Sequence, residues 1–217
     1  MTLESNRIRL IMELRRQGIT DARVLGAIER VPREAFVPET FKDQAYENIA
    51  LPIGSGQTIS QPAVVAFMTQ ELQIGDRMKI LEIGTGSGYQ AAVLAKLCRR
   101  VYSIERHREL LVEAEQKFRE LRINNVTARV GDGTKGWPEQ APFDCIIVTA
   151  SATRILPHAL LDQLSPDGLM IAPVGETARD QYLYRFSFDS EGNLEQKKMW
   201  PVRFVPLIDD DDPGRQT

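Results

Sequence analysis

The chain has 217 residues, 42% hydrophobic and 26% charged, which excludes a wholly disordered or fibrous polymer and suits one large folded domain. Lysine and arginine number 27 against 30 acidic residues, a net charge of −3 that lacks the basic excess of a dedicated nucleic-acid binder. Two cysteines (Cys98, Cys145) and two histidines (His107, His158) exclude a disulfide framework and a cysteine-rich zinc site.

Ile8, Ile11, Met12 and Arg15 follow helical spacing until Gln17-Gly18. Thr20 or Asp21 caps a second helix carrying Val24, Leu25 and Ile28, which ends before Pro32. From Val37 to Ser60 no period holds, and Pro52, Gly54 and Gly56 close the stretch. A connection of that length suggests a lid or binding segment. Helical spacing returns after Ser60 with Val64, Val65, Met68 and Leu72, and Gly75-Asp76 turns the chain.

Beyond that turn, strands and helices alternate. Met78 to Ile83 is an apolar strand running into Gly84-Thr85-Gly86-Ser87-Gly88, followed by a helix over Ala91, Ala92, Leu94 and Ala95. A strand from Val101 to Ile104 ends at Glu105, a long helix runs through Leu121, and a strand from Thr127 to Val130 meets Gly131-Asp132-Gly133. Phe143 to Thr149 reads as a strand buried on both faces; a helix near Ala159 to Leu164 and a strand at Leu169 to Ala172 complete the alternation. Tyr182 to Asp189 and Lys197 to Phe204, joined by turn chemistry at Ser190 to Asn193, predict an antiparallel edge hairpin.

The fold class that follows is α/β: a doubly wound, mostly parallel, Rossmann-like sheet with antiparallel C-terminal edge strands and a helical N-terminal extension. Within one domain spanning 1–217, residues 1–75 form the extension and an acceptor-side loop, and 76–174 the cofactor-binding core. Residues 175–208 form the hairpin, and 209–217 an acidic tail. No apolar run approaches the roughly 20 residues of a membrane span. The first residues lack the basic-then-apolar order of a secretory signal, so the expected location is the cytoplasm.

In such sheets ligands bind at the carboxyl ends of the strands, beside the reversal of strand order. Gly84, Gly86 and Gly88 allow close backbone approach there, and Glu105, at the end of the next strand, suits the two hydroxyls of a ribose. A dinucleotide fingerprint needs its third glycine where this chain has Tyr89. Glu82, two residues before the first glycine, would repel a pyrophosphate and suit a cationic ligand. That favours S-adenosyl-L-methionine over NAD, and Glu82 with Glu105 and Asp132 gives three acids at three consecutive strand ends, as a nucleoside site would need.

The segments IGSGQTISQP, LEIGTGSGYQAAVLA, VYSIER, VGDGTKGWPEQAPFDCIIVTA and LSPDGLMIAPVG, with VPREAFVP and VRFVPL, resemble the protein-L-isoaspartate O-methyltransferase family across nearly the whole chain. The glycine motif is generic to methyltransferases, and TISQP makes the match specific. The resemblance implies methylation of the free carboxylate of L-isoaspartyl residues in proteins and peptides. It places Glu82, Gly84, Thr85, Gly86, Ser87, Gly88, Glu105, Asp132 and Gly133 at the cofactor, and Ser60 at the active site with Gln57 and Thr58 shaping the same wall. Ser60 also directly precedes a helical pattern, where serine is a favoured cap, and the two readings are compatible. Other readings of the same residues are a methyltransferase for a small molecule or nucleic acid, and a non-catalytic cofactor-binding scaffold. His107 reads as a solvated surface residue, Cys145 as a core residue and Trp137 as cover for its loop; Gln181 is a candidate for the mouth of the site.

Overall fold

Polar side chains start the first two helices, and their apolar faces then bury. In the computed structural model, which describes residues 2–153, 156–177 and 179–209, helix α1 (Leu3–Arg16) is capped by Thr2, whose hydroxyl accepts from Ser5 N. Helix α2 (Ala22–Arg30) is capped by Asp21, which accepts from Arg23 N and Val24 N. Leu10 and Leu14 of α1 and Val24, Leu25, Ala27 and Ile28 of α2 are buried. A 3-10 turn at Arg33–Phe36 follows α2, and the stretch from Val37 to Ser60 expected to be irregular holds another, Glu39–Gln44. A two-stranded antiparallel ribbon follows, β1 (Leu51–Pro52) with β2 (Thr58–Ile59), and leads into α3 (Pro62–Glu71).

The core then alternates: β3 (Lys79–Ile83), α4 (Tyr89–Ala95), β4 (Arg100–Glu105), α5 (Arg108–Glu120), β5 (Val126–Val130), β6 (Phe143–Val148), α6 (His158–Leu161), β7 (Leu164–Gly175), β8 (Gln181–Phe188) and β9 (Leu194–Val202). These strands form one seven-stranded sheet in the order β5-β4-β3-β6-β7-β8-β9. The first five run parallel, and β8 and β9 are antiparallel as the hairpin pattern predicts.

Alternate residues of the central strands serve two separate apolar layers. Ile80, Val101, Cys145, Ile147 and Ile171 pack with α1 to α4 and with Ala114 and Phe118 of α5. Leu81, Ile83, Ile104, Ile146, Val148 and Met170 pack on the opposite face with Leu156, Leu160 and Leu161. A central strand covered on both faces has no solvent side, so it reads as an unbroken apolar run.

Boundaries around β7 and at β9 differ from expectation. The helix expected over Ala159 to Leu164 stops at Leu161, and β7 starts at Leu164 rather than Leu169. Phe143 pairs with Leu164 and Cys145 with Leu169, so Ser165 to Gly168 are an irregularity within the strand. Strand β9 is shifted toward the N-terminus and leaves Phe204 outside the ladder. In the turn, Asp189 accepts from Glu191 N and Asn193 N, both at 2.8 Å. Most of the acidic run, residues 210–212, lies outside the described residues.

Strand β3 lies between β4 and β6, so the chain leaves it in opposite directions and the carboxyl ends of the three strands border a crevice.

Candidate active site

The turn after β3 demands glycine at its first corner. Gly84 has φ +96°, and a Cβ there would stand 2.3 Å from Thr149 Oγ1. That hydroxyl is committed, bonding to Ile83 O at 2.9 Å and Gly84 O at 2.7 Å. Gly86 has φ +53° and borders the cavity; the nearest atom to a Cβ there is Ile53 Cδ1, at an ordinary contact distance of 3.7 Å.

Glu105 ends β4 with both oxygens engaged: one accepts from Gly86 N at 2.8 Å and the other from His107 N at 2.9 Å. Only 5% exposed, it holds the turn in place while bordering the cavity. Each carboxylate oxygen has a second lone pair, so the group can still accept hydroxyl donors. His107, expected to be a solvated surface residue, also lines this wall because its backbone is tied to Glu105.

The other two acids are placed differently from expectation. Glu82 is 0% exposed and does not line the cavity. It lies beneath the glycine turn, where the Ser103 hydroxyl donates to it and Thr85 Oγ1 bonds to Ser103 Oγ at 2.6 Å. Burial pushes its pKa up to about 8, so near neutral pH it is largely protonated rather than the anion expected to face a cationic ligand. Asp132 turns into its own 3-10 turn, accepting from Thr134 N at 2.8 Å and Thr134 Oγ1 at 2.7 Å. Its neighbour Gly133 is the one that lines the cavity, along with Gly84, Thr85, Gly86 and Ser87. Gly88 instead serves helix packing, since a Cβ there would meet Phe118 Cε1 at 2.9 Å. Trp137 packs on Tyr102 and under the Arg129 guanidinium, away from the cavity, and Cys145 is buried in β6.

Across the cavity stand Gln57, Thr58 and Ser60. Ser60 is not the cap of α3. That position belongs to Gln61, and Asn48 Oδ1 accepts from Ala63 N at 2.9 Å. Ser60 Oγ therefore borders the cavity without a hydrogen-bond partner among the described residues.

The third wall was not derivable from local pattern. The segment following β9 returns over the carboxyl edge of the sheet, where Ser151 N donates to Val205 O at 2.7 Å and Leu207 N to Ser151 O at 2.8 Å. Gln181 holds the same segment with its side-chain amide: Phe204 N donates to Oε1 at 2.6 Å, and Nε2 donates to Phe204 O at 3.1 Å. The sequence signals for this wall were the closing VRFVPL segment and the candidate Gln181, and neither gave the contacts, which span 23 positions for Gln181 and more than 50 for Ser151.

These walls enclose one cavity of about 710 Å³. Its lining includes both the glycine turn with Glu105 and the 57–60 stretch. The glycine turn on the cavity wall and the spare acceptors of Glu105 fit S-adenosyl-L-methionine.

Comparison with known proteins agrees with this geometry. The family model described as protein-L-isoaspartate(D-aspartate) O-methyltransferase matches residues 5–212. A Paramagnetospirillum magneticum protein-L-isoaspartate O-methyltransferase is 62% identical over 203 residues, covering 93% of this chain and 94% of its own length. One from Rhodospirillum centenum is 57% identical over 210 residues, covering 97% and 95%. A solved protein-L-isoaspartate O-methyltransferase superposes with a TM-score of 0.83 at 30% identity; the match covers 92% of this chain and 65% of the other. A Plasmodium falciparum structure named for the same enzyme, solved with S-adenosyl-L-homocysteine, gives a TM-score of 0.79 at 26% identity, covering 92% and 97%. With the glycine turn, the TISQP segment and the closing VRFVPL segment meeting around one cavity, and with relatives matched along almost their entire length, the chain belongs to the protein-L-isoaspartate(D-aspartate) O-methyltransferase family.

Proposed function

We propose that this chain transfers a methyl group from S-adenosyl-L-methionine to the free carboxylate of L-isoaspartyl residues in damaged proteins and peptides. The observation that carries this reading is the continuity of the cavity, which lets the glycine turn and Ser60 face one volume. The relatives named above, at 57–62% identity, carry the name of that activity.

The cofactor supplies the activated methyl, and the protein's share is to bind, orient and exclude water. Glu105 and the backbone of Gly84 to Ser87 hold the nucleoside side, and the buried Glu82–Ser103–Thr85 chain supports the turn from below. Asp132 shapes the turn that presents Gly133. On the acceptor side, Ser60 Oγ is a hydrogen-bond donor for the carboxylate, with Gln57 and Thr58 beside it. An aspartyl-type carboxyl, with a reference pKa of about 3.9, is already ionised near neutral pH and needs no general base. Orientation is then the main demand, and good orientation can contribute roughly 7–11 kcal/mol in favourable systems.

The partners in this reading are isoaspartyl proteins and peptides, with no nucleic acid or membrane. No helix among the described residues is long and apolar enough to cross a membrane. The two cysteines are free and buried, which supports a cytoplasmic location. A labelled-methyl assay comparing an isoaspartyl peptide with its aspartyl twin tests the assignment. Label is expected in the isoaspartyl peptide alone, and equal incorporation into both removes the repair reading.

A further inference from the structure

Arg33 lies in the VPREAFVP segment and does not line the cavity, yet it is the largest fully buried side chain, with 0% exposure. Desolvation lowers its pKa only to about 10, so it stays charged at neutral pH. Its donors reach backbone carbonyls of the acceptor-side stretch. Nε donates to Ala45 O at 2.9 Å, and Nη2 donates to Ser60 O at 2.9 Å and Ile49 O at 3.4 Å. Nη1 has no hydrogen-bond partner, and the guanidinium carbon lies 4.8 Å from the centroid of the Tyr89 ring. Tyr89 and Ser60 both border the cavity.

A buried ion is costly unless it is paired. No ion pair joins Arg33 to a carboxylate among the described residues, and the adjacent Glu34 instead accepts from Tyr46 Oη at 2.5 Å. Neutral carbonyls and a ring face solvate the charge without cancelling it. The two groups separating this cation from the cavity, the Ser60 backbone and the Tyr89 ring, are held by the cation itself. An anion bound at Ser60 would therefore feel a positive charge across a low-dielectric layer that water does not screen.

We propose that Arg33 is a positioning residue for the acceptor. From behind the wall it fixes the Ser60 backbone, and its uncompensated charge selects a carboxylate over a neutral group at that point of the cavity. This rests on the reading that the acceptor is a carboxylate bound at Ser60.

The test compares an isoaspartyl peptide with its isoasparaginyl twin, which replaces the side-branch carboxylate by a neutral amide. Both are measured as ligands of the full chain saturated with S-adenosyl-L-homocysteine, in wild type, Arg33→Met and Arg33→Lys. In Arg33→Met, affinity for the carboxylate peptide should fall on the order of tenfold, with little change for the amide peptide and for S-adenosyl-L-homocysteine. Arg33→Lys keeps the charge but not the planar fork, so it should retain the carboxylate-to-amide preference, while its kcat in a separate assay with S-adenosyl-L-methionine falls. Equal loss of both peptides in Arg33→Met would make Arg33 a structural pin and overturn the proposal. If Arg33→Met does not fold, loss of the preference in Arg33→Lys overturns it equally. A wild type with no preference for the carboxylate peptide would instead remove the underlying acceptor reading, whatever the variants do.

Discussion

Replacing Glu105 by glutamine tests whether this acid organises the cofactor side of the cavity or merely borders it. Both carboxylate oxygens accept from backbone amides, Gly86 N at 2.8 Å and His107 N at 2.9 Å, in a group only 5% exposed. An amide of the same shape has one acceptor and one donor end. Whichever way it turns, its NH2 group meets the N–H of Gly86 or of His107, and one buried donor loses its partner. A hydrogen bond to a charged group contributes about 1.5–3 kcal/mol, so Glu105→Gln should destabilise the protein by that amount even without cofactor. With a urea slope of about 2–3 kcal/mol per molar, the unfolding midpoint should fall by about 0.5–1.5 M. Displacement of Gly86 should also weaken S-adenosyl-L-homocysteine binding about 10–100-fold in calorimetry. An unchanged midpoint together with an affinity within twofold of wild type would refute the claim that Glu105 holds the turn.

Ser60→Ala should leave the melting curve within about 0.5 kcal/mol of wild type, because the hydroxyl has no protein partner among the described residues. The same change should cut kcat/KM on an isoaspartyl peptide about tenfold and spare S-adenosyl-L-homocysteine affinity; loss of that affinity would move Ser60 to the nucleoside side. Gly84→Ala should cost about 2–4 kcal/mol, from the left-handed backbone and the displaced Thr149 hydroxyl. Adding Thr149→Ala should relieve the clash with Oγ1 but leave the backbone strain, and no relief in the double variant would disprove that contact as the cause. Glu82, with a reference pKa of 4.5 pushed to about 8 by burial, keeps its proton in the folded state after the unfolded chain has released it. Stability from this group therefore falls as pH rises from 4.5 through about 8, and urea midpoints across that range should decline less steeply in Glu82→Gln. Identical slopes in the two proteins would argue against a buried, protonated Glu82.

What the sequence determined by itself was what short-range chemistry decides. Apolar runs of strand length meeting glycine, and helical spacing between them, predict parallel strands with covering helices, because period and turn residues act within a few positions. Gly84, Gly86 and Glu105 were recognisable because a strand end and its turn are contiguous in the chain. Tertiary structure decided where charge is buried and what closes the cavity. Glu82 and Glu105 both follow apolar residues in strands, yet one lies under the turn, protonated, and the other borders the cavity; neighbouring strands and helices choose between them. Nothing in the local pattern singles out Arg33, and it becomes a buried cation only when residues 45–60 wrap around it. Gln181 and Ser151 gain their roles only when the segment after β9 folds back across the sheet edge. Hydrophobic pattern marks which residues must leave water, but polar groups that leave with them find their partners through contacts between distant segments.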